Sequence, residues 1–307
     1  MIEYEIIKHD RLSGIRVFLN TIRIRSLHMH QDIEIMLVTG GRGTIVVRNE
    51  RYPVSAGDTV LINAWEAHEI LAADDSLTVL IVQISNHFLR EYCRILRNTV
   101  FLDVLPAKVL SPAALSRIKE DIYTLSDLYL RAEENFELAC ISHAADLLYL
   151  LYSGLHTEIL SEEDYSKRRK NSRRMNRIAD YISANCQSPI RLSDIAEHEG
   201  LTTTHLSHLI SESLGMSFRE YLRDKRLECS VQMIADPTMT LSDIAAASGF
   251  SELKYMTQAY RETFGMTPAE YRRNRNIPLP AGSRDNLSEY IYSPSEALEM
   301  LQRTKNN

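Results

Sequence analysis

Four side chains able to bind a cation or a polar molecule lie in the N-terminal half. His28, His30 and Glu34 stand in "HMHQDIEIMLVTGG", and His68 follows in "YPVSAGDTVLINAWEAHEI". Residues of equal parity on one strand face the same side, so the first three can converge on one interior and His68 can reach it from another strand. Three imidazoles and a carboxylate suit Mn, Fe, Ni or Zn. They equally suit a hydrogen-bonded cluster that shapes a metal-free pocket, which is the reading adopted. Arg23, Arg25, Trp65 and Glu34 add bidentate polar groups and an aromatic face, as a sugar or carbohydrate derivative requires. The expected ligand set is therefore Arg23, Arg25, His28, His30, Glu34, Trp65 and His68, with no cofactor. His28, His30, Glu34 and His68 are the residues that would hold a metal if one were bound. No catalytic residue is assigned.

A second constellation is duplicated. "EGLTTTHLSHLISESLGMSFREYLR" (Glu199 to Arg223) is echoed by "SGFSELKYMTQAYRETFGMTPAEYRR" (Ser248 to Arg273), and "LSDIA" precedes each, at Leu192 and Leu241. With Gly215 and Gly265 aligned, Leu206, Ile210, Glu220 and Tyr221 fall opposite Met256, Tyr260, Glu270 and Tyr271. Each copy reads as a short helix, a glycine turn at Gly200 or Gly249, and a second helix capped by Thr202 or Ser251. Thr240 and Asp243 form a capping box before the second copy. Helix, tight turn, capped helix is a helix-turn-helix layout. Two such units joined by one apolar-striped helix (Phe218, Tyr221, Leu222, Leu227, Val231, Ile234) can enter successive major grooves of a duplex.

The elements that position these groups change character along the chain. Residues 1–110 alternate as short strands ("GIRVFLN", "DIEIMLVTG", "GTIVVRN", "DTVLINA", "LTVLIVQIS") separated by Gly and Asp clusters, the pattern of an antiparallel sandwich or barrel. Residues 111–166 turn helical. In "ENFELACISHAADLLYLLYSG" an apolar stripe runs through Ala139, Cys140, His143, Ala144, Leu147 and Leu151. It predicts either a cover for the barrel or, as preferred, a helix-on-helix dimer contact. Residues 167–276 read as helices, and 277–307 form an extension with no assigned role, although Ser293–Glu296 can open a helix. The fold class is α+β, with an N-terminal barrel, a helical linker and dimerisation region, and an all-α C-terminal domain.

Composition allows this organisation. The 307 residues carry a net charge of −6, which by itself argues weakly against a nucleic-acid partner. The charge is unevenly distributed, with 15 Lys+Arg against 24 Asp+Glu in 1–166 but 17 against 13 in 167–276. Such asymmetry points to a nucleic-acid-binding segment. The basic run "KRRKNSRRMNR" supplies much of it and reads as a solvated linker. The N-terminus lacks a signal-peptide pattern, and no stretch is long enough to span a bilayer. Cys93, Cys140, Cys186 and Cys229 are scattered without a C-x-x-C pair and read as reduced thiols of a cytoplasmic protein.

Residues 172–275 resemble the DNA-binding domain of the AraC/XylS family of bacterial transcription regulators. The string "IAAASGFSELKYMTQAYRETFGMTPAEYRR" carries the resemblance, departing from it mildly at Met256, Gln258 and Tyr260. The N-terminal pattern H-x-H-x₃-E-x₆-G with a later histidine is similar to that of cupins, which serve this family as sensor barrels. The resemblance implies base reading by Thr203, Thr204, Ser207 and His208, and by Leu253, Lys254, Thr257 and Gln258. Gln can pair with adenine, Lys with guanine, and Thr or Leu can touch a thymine methyl. Arg219, Arg223, Lys225, Arg272 and Arg273 are candidates for phosphate, and Arg226 for a structural role. The implied partners are promoter double-stranded DNA, a small-molecule effector, a second copy of the chain and RNA polymerase. The rival reading is a metal-dependent cupin enzyme fused to a DNA-binding module.

Overall fold

The computed structural model describes residues 9, 11–73, 76–85, 87–89, 92, 93, 96, 98–273 and 289–305. They form two compact units, one running to Arg169 and taking in residues 289–305, the other beginning at Lys170.

The first unit is built on two antiparallel sheets. β1 (Ile15–Ile22), β3 (Asp32–Gly40), β6 (Thr59–Ile62), β8 (Leu77–Ser85) and β11 (Glu289–Ile291) form a five-stranded sheet in the order β11-β1-β8-β3-β6. β2 (Ile24–His28), β4 (Arg42–Val47), β5 (Glu50–Ser55) and β7 (His68–Ala72) form a four-stranded sheet in the order β2-β7-β4-β5. Met36, Val38, Val79 and Ile81 share one core with Ile45, Val54 and Ile70 of the second sheet. Among the described residues the ladders thus remain two sheets packed face to face, a sandwich form of the expected barrel. Gly41 turns β3 into β4 with φ 81, and a Cβ there would collide with the Ser76 carbonyl.

The opposite face of the five-stranded sheet is also covered. Ile35, Leu37, Leu80, Val82 and Ile84 pack in one cluster with α1 (Pro112–Arg131) and α2 (Phe136–Gly154). Burial on both faces explains why β3 and β8 read as nearly continuous apolar runs. α1 starts cleanly because the Ser111 hydroxyl accepts from the Ala114 amide at 3.3 Å and Pro112 needs no donor. In α2, Cys140, Ala144, Leu147 and Leu151 are fully buried in this same cluster. The stripe expected to make a dimer contact is therefore an intramolecular cover. The face of α2 left to solvent carries Leu138 and Tyr149, 72% and 66% exposed.

The C-terminal extension also belongs here. β11 pairs antiparallel with β1, placing Ile291 opposite Asn20 and Glu289 opposite Ile22. α10 (Pro294–Lys305) opens at Ser293, whose hydroxyl bonds Glu296 at 2.6 Å, and buries Ala297 and Leu301 in the α1–α2 cluster. The short pair β9 (Thr99–Phe101) and β10 (Thr157–Ile159) completes the unit.

The long helix α3 (Glu162–Asn185) runs out of this unit into the second, which is all helical: α4 (Leu192–His198), α5 (Thr203–Leu214), α6 (Phe218–Met233), α7 (Leu241–Ala247), α8 (Leu253–Phe264) and α9 (Pro268–Arg273). Both α5 and α8 end on a left-handed glycine, Gly215 at φ 67 and Gly265 at φ 69. Met256, Ala259 and Tyr260 of α8 are buried with Leu227 of α6 and Ile244 of α7, closing the second repeat around its own core. No described helix is long and apolar enough to cross a membrane.

Because Leu151 is sealed in the core, Leu151→Glu should unfold the sheet unit rather than yield a folded monomer. Burying an unpaired carboxylate costs on the order of several kcal/mol, comparable with a domain's whole stability of about 5–15 kcal/mol. Circular dichroism with sedimentation distinguishes an unfolded chain from a folded monomer.

Candidate ligand site and nucleic-acid interface

The three histidines do converge. β2 and β7 pair His28 directly opposite His68, and the ring centroids stand 4.0 Å apart. His30 lies between β2 and β3, its ring 5.2 Å from that of His68. Glu34 on β3 faces Gln83 on β8 in register, and the Gln83 amide donates to its Oε2 at 2.7 Å. His28, His30, Glu34, His68 and Gln83 are all buried. Gln83 escaped the sequence reading, although its amide interrupts the apolar run "VLIVQI".

Hydrogen bonds fix the protons in this cluster. The Nδ1 of His30 faces the Asp32 carbonyl at 2.9 Å and its Nε2 faces Glu34 Oε2 at 2.9 Å. Both partners only accept, so both nitrogens donate and the ring forms a charge-assisted pair with Glu34. Burial alone would raise the Glu34 carboxyl, but His30, with His68 adding to it, holds it well below the usual range. His28 is the reverse case. Its Nε2 accepts from Arg25 Nε at 3.0 Å, and burial, then His68 and Arg25, lower it well below 6.5 and keep it neutral. His68 donates Nδ1–H to the Glu66 carbonyl at 3.0 Å, and its Nε2 stands 3.4 Å from Glu34 Oε1.

One nitrogen from each histidine lies within 4.8 Å of the others, a spacing that a cation could draw together. A cation there would have to displace the Arg25 contact to His28 Nε2 and the His30 contact to Glu34.

The other expected ligand residues divide. Arg25 closes one side of the cluster and is held by Glu289 of β11, whose oxygens lie 2.6 and 2.7 Å from its Nη1. Nothing in the sequence signalled Glu289, which comes from 264 residues away. Arg23 sits half-buried on the bend after β1 and takes no part in the network. Trp65 lines a separate recess with Ile33, Thr99, Tyr152, Tyr165 and Arg168, and no histidine of the cluster lines it. At its edge Arg168 of α3 reaches Glu66 at 3.5 Å. Glu66 also bonds Arg48 and Asn63 and is held below its ordinary range; burial raises it, but Arg48 prevails.

In the helical unit, α4–α5 and α7–α8 each make two helices around a glycine turn, Gly200 at φ 64 and Gly249 at φ 87. Thr202 caps α5, accepting from the His205 amide at 3.1 Å, and Thr240 and Asp243 form the expected box on α7. Ser251 does not cap α8: the N-cap is Glu252, whose side chain makes no capping bond. Thr203, Thr204, Ser207 and His208 are exposed along the first turns of α5, and Lys254 and Gln258 along those of α8. Both repeats therefore present a solvent-facing polar edge opposite a buried apolar one.

Two family models cover these same regions. The AraC-like ligand binding domain matches residues 14–148, and the Helix-turn-helix domain matches residues 195–274. The chain belongs to the AraC family. An HTH-type transcriptional regulator of Staphylococcus aureus is 30% identical over 132 residues, 43% of this chain but 17% of that protein. The chain thus matches about a sixth of the length of such relatives. The HTH-type transcriptional activator RhaR of Pectobacterium atrosepticum is 21% identical over 256 residues, covering 80% of this chain and 86% of RhaR. Among solved structures, ToxT of Vibrio cholerae with a bound unsaturated fatty acid is 18% identical, covering 86% of this chain and 97% of that one at a TM-score of 0.43.

Within this AraC-family chain the candidate contacts differ in availability. Leu253 is partly buried against the core of the second repeat, and Thr257 donates back to the Leu253 carbonyl at 2.9 Å. Both are more tied to the fold than the sequence suggested. Gln258 bonds Glu262 at 2.7 Å and Lys254 bonds Glu252 at 2.9 Å, exposed contacts that a base edge can replace. Arg272 is a correction. Its guanidinium donates to the carbonyls of Ile234 and Met239 at 3.0 and 3.1 Å, tying α9 to the α6–α7 loop instead of waiting for phosphate. Arg223 bridges Asp224 and Glu262, and Lys225 is buried against Glu228. Arg226 is structural, donating to the Cys186 and Ser188 carbonyls. Arg219 and Arg273 remain at the surface.

Two outcomes follow. Arg272→Ala removes two bonds to backbone carbonyls and should destabilise the helical unit by about 2–3 kcal/mol, measured by urea denaturation. His28 is neutral in the fold but binds a proton more readily when unfolded. Stability of the sheet unit should therefore fall as pH drops below 6.5, with Glu34 adding a loss of the same sign at lower pH. Thermal melts from pH 8 to 4 check this, and a midpoint flat down to pH 5 would contradict the assigned protonation.

Proposed function

We propose that the protein is a sequence-specific, double-strand DNA-binding transcription regulator whose sheet unit senses a small molecule. The observation that carries this reading is the repeated helix-turn-helix with two exposed polar edges, at Thr203–His208 and at Lys254 and Gln258. A lone hairpin of helices would serve packing equally well. Two copies braced by the same linker helix suit two successive major grooves, and linking them multiplies two modest affinities.

The effector we infer is polar and hydroxyl-bearing, a sugar or carbohydrate derivative. Its support is the buried array of Arg25, His28, Glu34, His68 and Gln83, which pairs donors with acceptors in a low-dielectric interior. The sensor works without a metal and without turnover, since the imidazole nitrogens already serve Arg25 and Glu34. A signal can leave the cluster through the segment Glu66–His68, because Arg168, reaching Glu66, sits on the helix that continues into the helical unit. The protein acts in the cytoplasm as a homodimer through the α2 face bearing Leu138 and Tyr149, with RNA polymerase as a further partner.

Full-length protein should select, from random duplexes, a site bound much more tightly than bulk DNA, with affinity falling steeply as salt rises. Gln258→Ala should relax preference at one position, at a cost of about 1–3 kcal/mol. Equal affinity for selected and random duplexes at physiological salt would overturn the reading. Folded His68→Gln protein should keep its DNA affinity but lose its response to effector. Stoichiometric metal together with turnover of a small substrate would instead favour a cupin enzyme.

A further inference from the structure

Two cysteines with no sequence relationship meet in the helical unit. Cys186 follows the last residue of α3, Cys229 lies on α6, and their sulfurs are 3.4 Å apart across a separation of 43 residues. Both are free thiols; Cys186 is buried and Cys229 is partly open to solvent. We propose that Cys186 and Cys229 form a peroxide-responsive dithiol that closes to a disulfide and changes how the two helix-turn-helix units are held.

The surroundings divide the roles between the two thiols. Cys229 is lowered to about 7, first by the hydrogen bond from Cys186, against the opposing effect of burial, with Gln187 and Lys225 assisting. Lys225, one turn earlier on α6, is nearly inaccessible and paired with Glu228. Cys186 is pushed up, first by its contact with Cys229 and then by burial, and its thiol also donates to the Ser183 carbonyl at 3.4 Å. Cys229, the thiol a peroxide can reach, is thus the nucleophile, and the buried Cys186 is the resolving thiol. Elsewhere, Cys140 is pushed up to about 11 by burial, with Glu137 adding to it, and is inert.

The oxidant class is a hydroperoxide. The Cys229 thiolate attacks the terminal peroxide oxygen and breaks the O–O bond. The leaving oxygen takes a proton and departs as water or an alcohol, and Cys229 becomes a sulfenic acid. The Cys186 sulfur then attacks the Cys229 sulfur, the S–S bond forms, and hydroxide leaves with the Cys186 proton as water. Two thiols lose two electrons in total and the peroxide gains them. The sulfurs must close from 3.4 Å to about 2.05 Å, a movement that side-chain rotation and a slight helix shift can supply.

The position makes that movement matter. The Cys186 carbonyl accepts from Arg226 of α6 at 2.8 Å, and it also abuts Gly249, where a Cβ would collide with it. The end of α3, the linker helix and the turn of the second repeat therefore meet at one point. Pulling Cys186 toward α6 shifts the support of that turn and moves α8 out of register with α5 on a rigid duplex. Losing one of two linked contacts should weaken binding on the order of a hundredfold.

The test treats full-length protein with hydrogen peroxide, alkylates the remaining thiols and maps peptides by mass spectrometry. The expected result is a cross-linked peptide joining Cys186 to Cys229, lost on treatment with dithiothreitol. C186S should leave Cys229 as a sulfenic acid that dimedone traps, and C229S should leave Cys186 reduced; circular dichroism confirms that both variants fold. Binding of the selected duplex should weaken on oxidation, recover with dithiothreitol and stay unchanged by peroxide in C229S. Both thiols remaining alkylatable, or pairing with Cys93 or Cys140 instead, would overturn the dithiol. A Cys186–Cys229 disulfide that leaves DNA affinity unaltered would overturn the coupling to binding. The peptide map needs no DNA, so its result stands apart from the assignment of the protein as a DNA-binding regulator.

Discussion

The first unit depends on covering both faces of its five-stranded sheet. Ile35, Leu37, Leu80, Val82 and Ile84 on one face, and Met36, Val38, Val79 and Ile81 on the other, need apolar partners. The four-stranded sheet supplies one cover, and α1, α2 and α10 supply the other. This demand turns the α2 stripe inward and draws the C-terminal segment back as β11 and α10. It also places Glu34 and Gln83 where water cannot reach them, and a buried carboxylate is tolerable only when paired and hydrogen-bonded. His30, His68 and Gln83 meet that requirement, so the polar cluster is a consequence of the same burial that builds the sheet.

The helical unit rests on its linker helix and on arginines that face backbone rather than solvent. Arg226 fastens α6 to the chain after α3, and Arg272 fastens α9 to the loop between α6 and α7. Such ties fix the spacing between the exposed edges of α5 and α8, and that spacing is what a duplex would read. The unit lies in the chain between α3 and the segment that returns as β11, so both of its ends lead back to the sheet unit.

Legibility in the sequence followed the range of each interaction. Strands β3 and β8 were readable because double burial makes long apolar runs, and the helix-turn-helix units because turn glycines and caps are local. β2 was missed and β7 was foreseen only as the strand bearing His68: "IRSLH" and "HEILA" are short, one ending and the other beginning on the polar cluster they serve. The convergence of His28, His30 and Glu34 was expected from parity along one strand, but His28 ends β2, Glu34 lies on β3 and His30 stands between them. Their meeting, like the arrival of Gln83, Glu66 and Glu289, depends on chain reversal and sheet pairing, which local pattern does not encode. The α2 stripe was visible while its partner was not, since an intramolecular and an intermolecular cover demand the same residues. Arg272 looked like a phosphate contact because charge is evident in a sequence and the carbonyls of Ile234 and Met239 are not. Cys186 and Cys229 carry no spacing signal because α3 and α6 meet only in the folded unit.

The most direct measurement is a hydroxyl-radical footprint of the full-length protein on its selected duplex, with methylation interference on both strands. Two helix-turn-helix units held by α6 should protect two major-groove segments on one face, with centres about 10–10.5 base pairs apart. Interference should persist in the α5 segment and vanish from the α8 segment when Lys254 and Gln258 are replaced by alanine. Protection of a single groove, unchanged by those replacements, would contradict the account.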